Sequence, residues 1–218
     1  MAMLDFLKPK TLSSPKDVDR TLALTRTSKR HAKTLAIALS GEDLSPQGRA
    51  HAVRLCLEFI EQRAPCEHPT GENFASEALA MFRWKDAETE EAGRTLLKAY
   101  VDAAYFQLNL DFSVTNTSVS RQAVGSGESS LLRKAIAAGN IPCAVALIEL
   151  GEDPNCPTSP GGCPSDANAF AYARLLWGRG SHFPDAEEQL RGAWMRREIA
   201  LSKHAAPMVE AKPSSPRP

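Results

Sequence analysis

The chain has 218 residues, enough to bury a core without disulfide or metal staples. Its 26 basic and 26 acidic residues give zero formal net charge. That balance argues against a protein built chiefly to neutralise phosphates or anionic lipid, while leaving room for a local basic face. Aromatic residues are only 6% and Ala and Leu are abundant, a bias that disfavours strands and favours helices.

Residues 1–15 read as an extended leader. The region 16–112 reads as helical. A first helix is expected from Pro15 to about Leu39, with Val18, Leu22, Ala32, Leu35 and Leu39 near helical spacing and Gly41 as its stop. Ser45-Pro46 offers an N-cap followed by proline at the first helical position. The stripe Val53, Cys56, Leu57 and Ile60 then marks a second helix, ended by Pro65. After a loop at Cys66-Glu-His-Pro-Thr-Gly, a short helix is expected from Glu72 to Trp84. Asp86 caps a longer one, expected to reach Phe112 and lined by Leu97, Tyr100, Val101, Ala104 and Leu108. Its early Glu88, Glu90 and Glu91 complement the helix dipole. Residues 113–127 are rich in Ser, Thr, Asn and Gly and read as a linker. Residues 128–204 form a second region, and 205–218 a disordered Pro/Ser-rich tail.

The stretch from Ser130 to Asn155 resembles one ankyrin repeat without a gap. Ser130 stands where that family has the Thr that caps the first helix. Leu132 takes the place of its buried Leu, and Ala135 that of its small contact residue. Gly139-Asn140 matches the turn between the two helices, Leu147-Ile148 the apolar pair, and Gly151-Glu-Asp-Pro-Asn155 the exit. Glycine is suited to ending each short helix in a left-handed conformation, and Asp153 and Asn155 can fold the exit turn through side-chain to backbone bonds. The departures are Leu131 for the usual Pro, Arg133 for the usual His, and an early Pro142. A second, degenerate copy starts at Asn168, with Phe170 and Ala173 at the Leu and Ala positions. Pro184-Asp185 opens its partner helix, which carries Leu190, Trp194 and Leu201. The extra length falls in an enlarged finger, Cys156 to Pro164. So short an array needs its open end covered, and the Asp86 helix is the natural candidate. The expected fold is therefore all-α, an N-terminal helical region packed against a short ankyrin-like helical-hairpin array.

The resemblance implies protein binding through the first helix and the finger. Carried over residue by residue, that means Arg133, Lys134 and Ala137, with Thr158, Ser159 and Gly161. A rival surface is basic. Arg26, Lys29, Arg30 and Lys33 recur at i, i+3 and i+4 spacing on the first expected helix, which suits phosphate contacts by a nucleic-acid-associated regulator. The bland reading, a solvated face or one paired with the acidic start of the Asp86 helix, is the stronger expectation.

Chemistry has little local signature. Cys156-x6-Cys163 with Cys66-Glu67-His68 fits no zinc spacing, so no metal or other cofactor is expected. Unpaired loop cysteines are expected ahead of a Cys156–Cys163 disulfide. Gly125-Ser-Gly lacks the spacing and Lys of a phosphate loop. Five cysteines, an odd number, suit a reducing compartment, and no apolar run has the length of a membrane span. The expectation is a soluble cytoplasmic adaptor of bacterial or phage-like composition whose partner is another protein. An enzyme with a site in the N-terminal helices is the less favoured alternative.

Overall fold

The computed structural model describes residues 12, 14–26, 29–40, 44–65, 74–105, 108, 131–155, 168–178 and 180–205. Among them the regular structure is entirely helical: α1 (Pro15–Ala23), α2 (Arg30–Leu39), α3 (Pro46–Glu61), α4 (Phe74–Met81), α5 (Ala87–Asp102), α6 (Leu131–Ala137), α7 (Ile141–Leu150), α8 (Ala169–Trp177) and α9 (Ala186–Ala205). The expected linker 113–127 and the residues beyond 205 lie outside the described set.

Local signals set four of the starts. Ser14 donates through its amide and hydroxyl to the Asp17 carboxylate, at 3.1 and 2.7 Å, ahead of Pro15. The Ser45 hydroxyl accepts from the Gly48 amide at 3.0 Å, with Pro46 in the first turn. Asp86 accepts from Thr89 N at 2.7 Å, and Asn168 from Ala171 N at 3.0 Å. Four stops share one device. The helices α3, α5, α6 and α7 each end in a left-handed residue, at Arg63, Ala104, Gly139 and Gly151 respectively. At each, the next amide reaches five residues back: Ala64 to Phe59, Tyr105 to Tyr100, Asn140 to Ala135, and Glu152 to Leu147. Beyond Gly151 the Asn155 amide donates to Asp153 Oδ1 at 2.8 Å, which closes the exit turn.

Two expected helices are corrected. The single helix 15–39 is two, because the Thr21 and Thr25 hydroxyls bond back to the carbonyls of Asp17 and Thr21, and Thr25, Thr27 and Ser28 crowd the joint with residues that compete for the backbone. The bend lets Val18 and Leu22 of α1 bury together with Leu35 and Leu39 of α2. The α5 helix stops at Asp102, ten residues before Phe112. Ala104 turns left-handed there, and Tyr105 folds back edge-on to Tyr100, with centroids 5.3 Å apart. In α9, Leu190 is fully buried and Trp194 half-buried, whereas Leu201 is 52% exposed.

Successive helices pair into hairpins, α2/α3, α4/α5, α6/α7 and α8/α9, and the hairpins stack. Each inner helix packs on the next inner one, α2 on α4, α4 on α6, and α6 on α8. The outer row repeats the pattern with α3 on α5, α5 on α7, and α7 on α9. The N-terminal helix α1 packs on α2 and α3. Both α4 and α5 therefore cover the start of the α6/α7 pair, rather than α5 alone. Small residues permit this closeness. Ala75, Ala78 and Ala80 of α4, Ala135 of α6 and Ala173 of α8 are all buried. Gly93 lies against Trp84 so closely that a Cβ would sit 2.2 Å from Trp84 Cε2.

Side chains stitch the hairpins at the inner helices' C-terminal carbonyls. Arg49 Nη1 donates to Ala38 O and Ser40 O, both at 2.8 Å, beyond α2. The fully buried Asn140 amide donates to Leu79 O, Ala80 O and Phe82 O at 3.0, 3.2 and 2.7 Å, at the end of α4. Arg83 Nε reaches Ala138 O at 3.0 Å and Trp177 Nε1 reaches Ile136 O at 2.6 Å, at the end of α6. Asn140→Ala strips donors from three carbonyls at once, and denaturant melts should show a loss of about 3 kcal/mol. Ala104→Gly relieves a left-handed alanine and should raise stability by about 1 kcal/mol in the same melts.

Candidate interaction surface

The inner row presents apolar and charged side chains together to solvent. Exposed positions are Lys33 on α2, Glu77 and Met81 on α4, Ala137 on α6, and Arg174, Leu175 and Leu176 on α8. Met81 is 58% exposed and Leu175 64%. Of the residues expected at a protein-binding surface, Ala137 is exposed and Lys134 half-buried on that row. Arg133 is buried at 5% exposure, with its guanidinium 4.7 Å over the Tyr172 ring. It joins α6 to α8 by cation–π stacking and offers a partner little surface. Thr158, Ser159 and Gly161 lie outside the described residues, as do Cys66, Cys156 and Cys163.

The expected basic face is broken by the α1–α2 joint. Arg26 is exposed between the helices, and Lys29 is exposed at the α2 N-cap position. Arg30 is half-buried with its Nε on Thr25 O at 3.3 Å, and Lys33 is exposed one turn into α2. The four cations thus share a joint rather than one helical face. Among the described residues no carboxylate pairs with Arg26, Lys29 or Lys33. The bland pairing with the acidic start of α5 falls elsewhere: Arg49 is the basic residue near Glu88, at 3.9 Å.

Two clusters gave no sequence signal. On the outer row, Glu149 of α7 accepts from Arg94 of α5 at 2.8 Å and from Arg196 of α9 at 2.7 Å, while Arg94 also holds Glu90 at 2.9 Å. This ladder ties three consecutive outer helices. Burial alone pushes the Glu149 carboxyl up, but the hydrogen bonds from Arg196 and Arg94 outweigh it and hold it below its ordinary value. At the opposite corner His31 is 3% exposed. Its Nδ1 lies 3.2 Å from Ala64 O and its Nε2 2.6 Å from the Tyr100 hydroxyl, residues 33 and 69 positions away. The carbonyl can only accept, so Nδ1 carries the proton and Nε2 receives the Tyr100 hydrogen. Phe59 stacks on the ring at 5.1 Å, and Tyr105 donates to the same Ala64 O at 2.7 Å.

Neither cluster has an evident reacting centre. The Cys143 thiol is fully buried and pushed far up by that burial, so it is protonated at neutral pH. Among the described residues no three His, Cys, Asp or Glu side chains gather in a metal-binding arrangement, and no helix is long and apolar enough to cross a membrane. No family model, curated protein or solved structure matches the chain.

The depressed Glu149 group fixes the direction of an acid effect. Its contribution is present above the ordinary carboxyl range and fades as pH falls through the folded-state value. Glu149→Gln should cost about 1 kcal/mol at neutral pH and low salt. That deficit should shrink in urea melts as pH falls below the ordinary carboxyl range, and a deficit unchanged by acid would remove the ladder's ionic role.

Proposed function

We propose that the protein is a non-enzymatic interaction module, an adaptor of ankyrin-like design whose partner is another protein seated on the inner row. The observation that carries this reading is the unbroken series of stacked hairpins. Their inner helices turn Met81, Ala137, Leu175 and Leu176 outward among Glu77, Lys33 and the half-buried Lys134. An extended face with apolar anchors and charges of both signs suits a polypeptide partner. Stacked repeats supply such faces because each hairpin adds one more helix to the same side. The Gly139 and Gly151 caps and the Asp153–Asn155 turn support the ankyrin-like reading of the α6/α7 pair. Arg133 acts in it as a positioning residue through Tyr172. Thr158, Ser159 and Gly161 remain part of the proposed contact on the sequence resemblance alone. A cytoplasmic location belongs to the same reading and rests on the odd count of five cysteines.

A second reading rests on the exposed cations Arg26, Lys29 and Lys33, which lack described carboxylate partners and suit contact with a nucleic-acid backbone. It differs by being strongly salt-dependent.

The two readings separate in a pull-down from the native host. Ala137→Arg puts a long charged side chain on an exposed position and should lower capture of the partner about tenfold or more. Lys98→Glu, on the outer row, should leave capture unchanged. Undiminished capture by Ala137→Arg would sink the inner-row reading. Capture of nucleic acid that is lost on Lys29→Glu with Lys33→Glu, and lost at high salt, would favour the second.

A further inference from the structure

We propose that His31 is an acid-sensitive latch: a proton taken up by its ring loosens the α1–α3 layer from α5 while the later hairpins stay closed. The geometry is that of a three-way fastener. One imidazole on α2 spans the Ala64 carbonyl beyond α3 through Nδ1 and the Tyr100 hydroxyl of α5 through Nε2. Its ring is enclosed by Phe59 at 5.1 Å, Tyr100 at 5.7 Å and Tyr105 at 6.1 Å. The Arg63 guanidinium, on the left-handed residue ending α3, donates to Ala103 O at the end of α5, so the same corner also joins the two helix caps directly.

A proton from solvent can enter only at the Nε2 lone pair, which already receives the Tyr100 hydrogen. The hydroxyl must then turn its hydrogen away and accept instead, and a full positive charge is left 3% exposed. Among the described residues few groups offset that charge. The titratable ones facing the ring are Tyr100 on α5 and Tyr105 just after it. The end of α3 presents uncharged Phe59 and the carbonyls of Ala64 and Pro65. Arg63 there is a cation directed at Ala103 O, Arg30 beside it on α2 is turned to Thr25 O, and Glu77 of α4 is exposed. Burial, the largest influence, pulls the imidazole below its ordinary value, and the carbonyls of Ala64 and Pro65 offset part of that. The neutral ring therefore favours the closed corner. That contribution is complete above the ordinary histidine value and is lost as pH falls below it.

Opening is local because the hairpins are stacked in series. An end layer contacts only its neighbour and can detach without unfolding the far end. The other histidine of this layer lies away from the corner: His51 Nε2 meets Asp19 Oδ1 at 2.7 Å, bridging α3 to α1.

The test is native-state amide exchange on the full chain, corrected for the intrinsic exchange rate, between about pH 7.5 and about pH 5.5. The opening constant of α1–α3 amides should rise up to about tenfold in acid, one proton's worth, while α6–α9 amides change little. An equal rise in every helix, or none in α1–α3, would overturn the latch. His31→Gln should flatten the response with His51→Gln leaving it intact; a response that survives His31→Gln also overturns the proposal. Should His31→Gln fail to fold, the wild-type imidazole titration by NMR decides instead, since a His31 ring titrating at its ordinary value is incompatible with the latch.

Discussion

Short helices leave their last carbonyls without partners, and satisfying those carbonyls is the constraint on which this fold depends. A helix of seven to ten residues, as α4, α6 and α7 are, has more orphaned end groups than internal bonds. Left-handed caps settle some of them. Side chains from neighbouring elements settle others: Arg49 beyond α2, Asn140 for α4, Arg83 and Trp177 for α6, and Arg197 through Glu152 O beyond α7. Each such donor is fastened to a neighbouring helix or turn, so end-capping and hairpin stacking are the same act. Stacking thus depends on a few polar contacts as well as on apolar area.

The two rows divide the work between them. The outer row is held by ions, with Glu149 gripped between Arg94 and Arg196 across three hairpins. The inner row is held by small residues and aromatic contacts, Ala135 and Ala173 at close approach and Arg133 flat on Tyr172. Having spent few charged side chains on itself, the inner row leaves Lys33, Glu77 and Ala137 facing solvent. That division is why the proposed partner is assigned to the inner side, and why Arg133 contributes by positioning rather than by contact.

At the corner where α2, α3 and α5 meet, function and stability are hard to separate. His31 is at once the core residue that fills the corner and its one buried imidazole among the described residues. The exposed Lys29 and Lys33 flank it on the same short segment. A corner closed by a neutral ring and bordered by cations links the packing of the end layer to its charge.

The sequence by itself determined the local structure. Helical periodicity, the Pro15, Ser45–Pro46, Asp86 and Asn168 starts, and the glycines at 139 and 151 are read from residues within a turn of each other, because caps and propensities act over that range. Ala137 is picked out by the ankyrin resemblance, and it is exposed on α6. The tertiary structure alone decided the rest. Nothing local distinguishes Arg63 or Ala104 as left-handed caps, marks Arg133 as buried beneath Tyr172, or pairs His31 with Tyr100 across 69 positions. The break after Ala23 was only half legible, since threonines weaken a helix but the burial of Leu22 beside Leu35 makes the bend worthwhile. Long-range contacts set these features because the free energy that selects them, burial and satisfaction of polar groups, comes from residues distant in the chain.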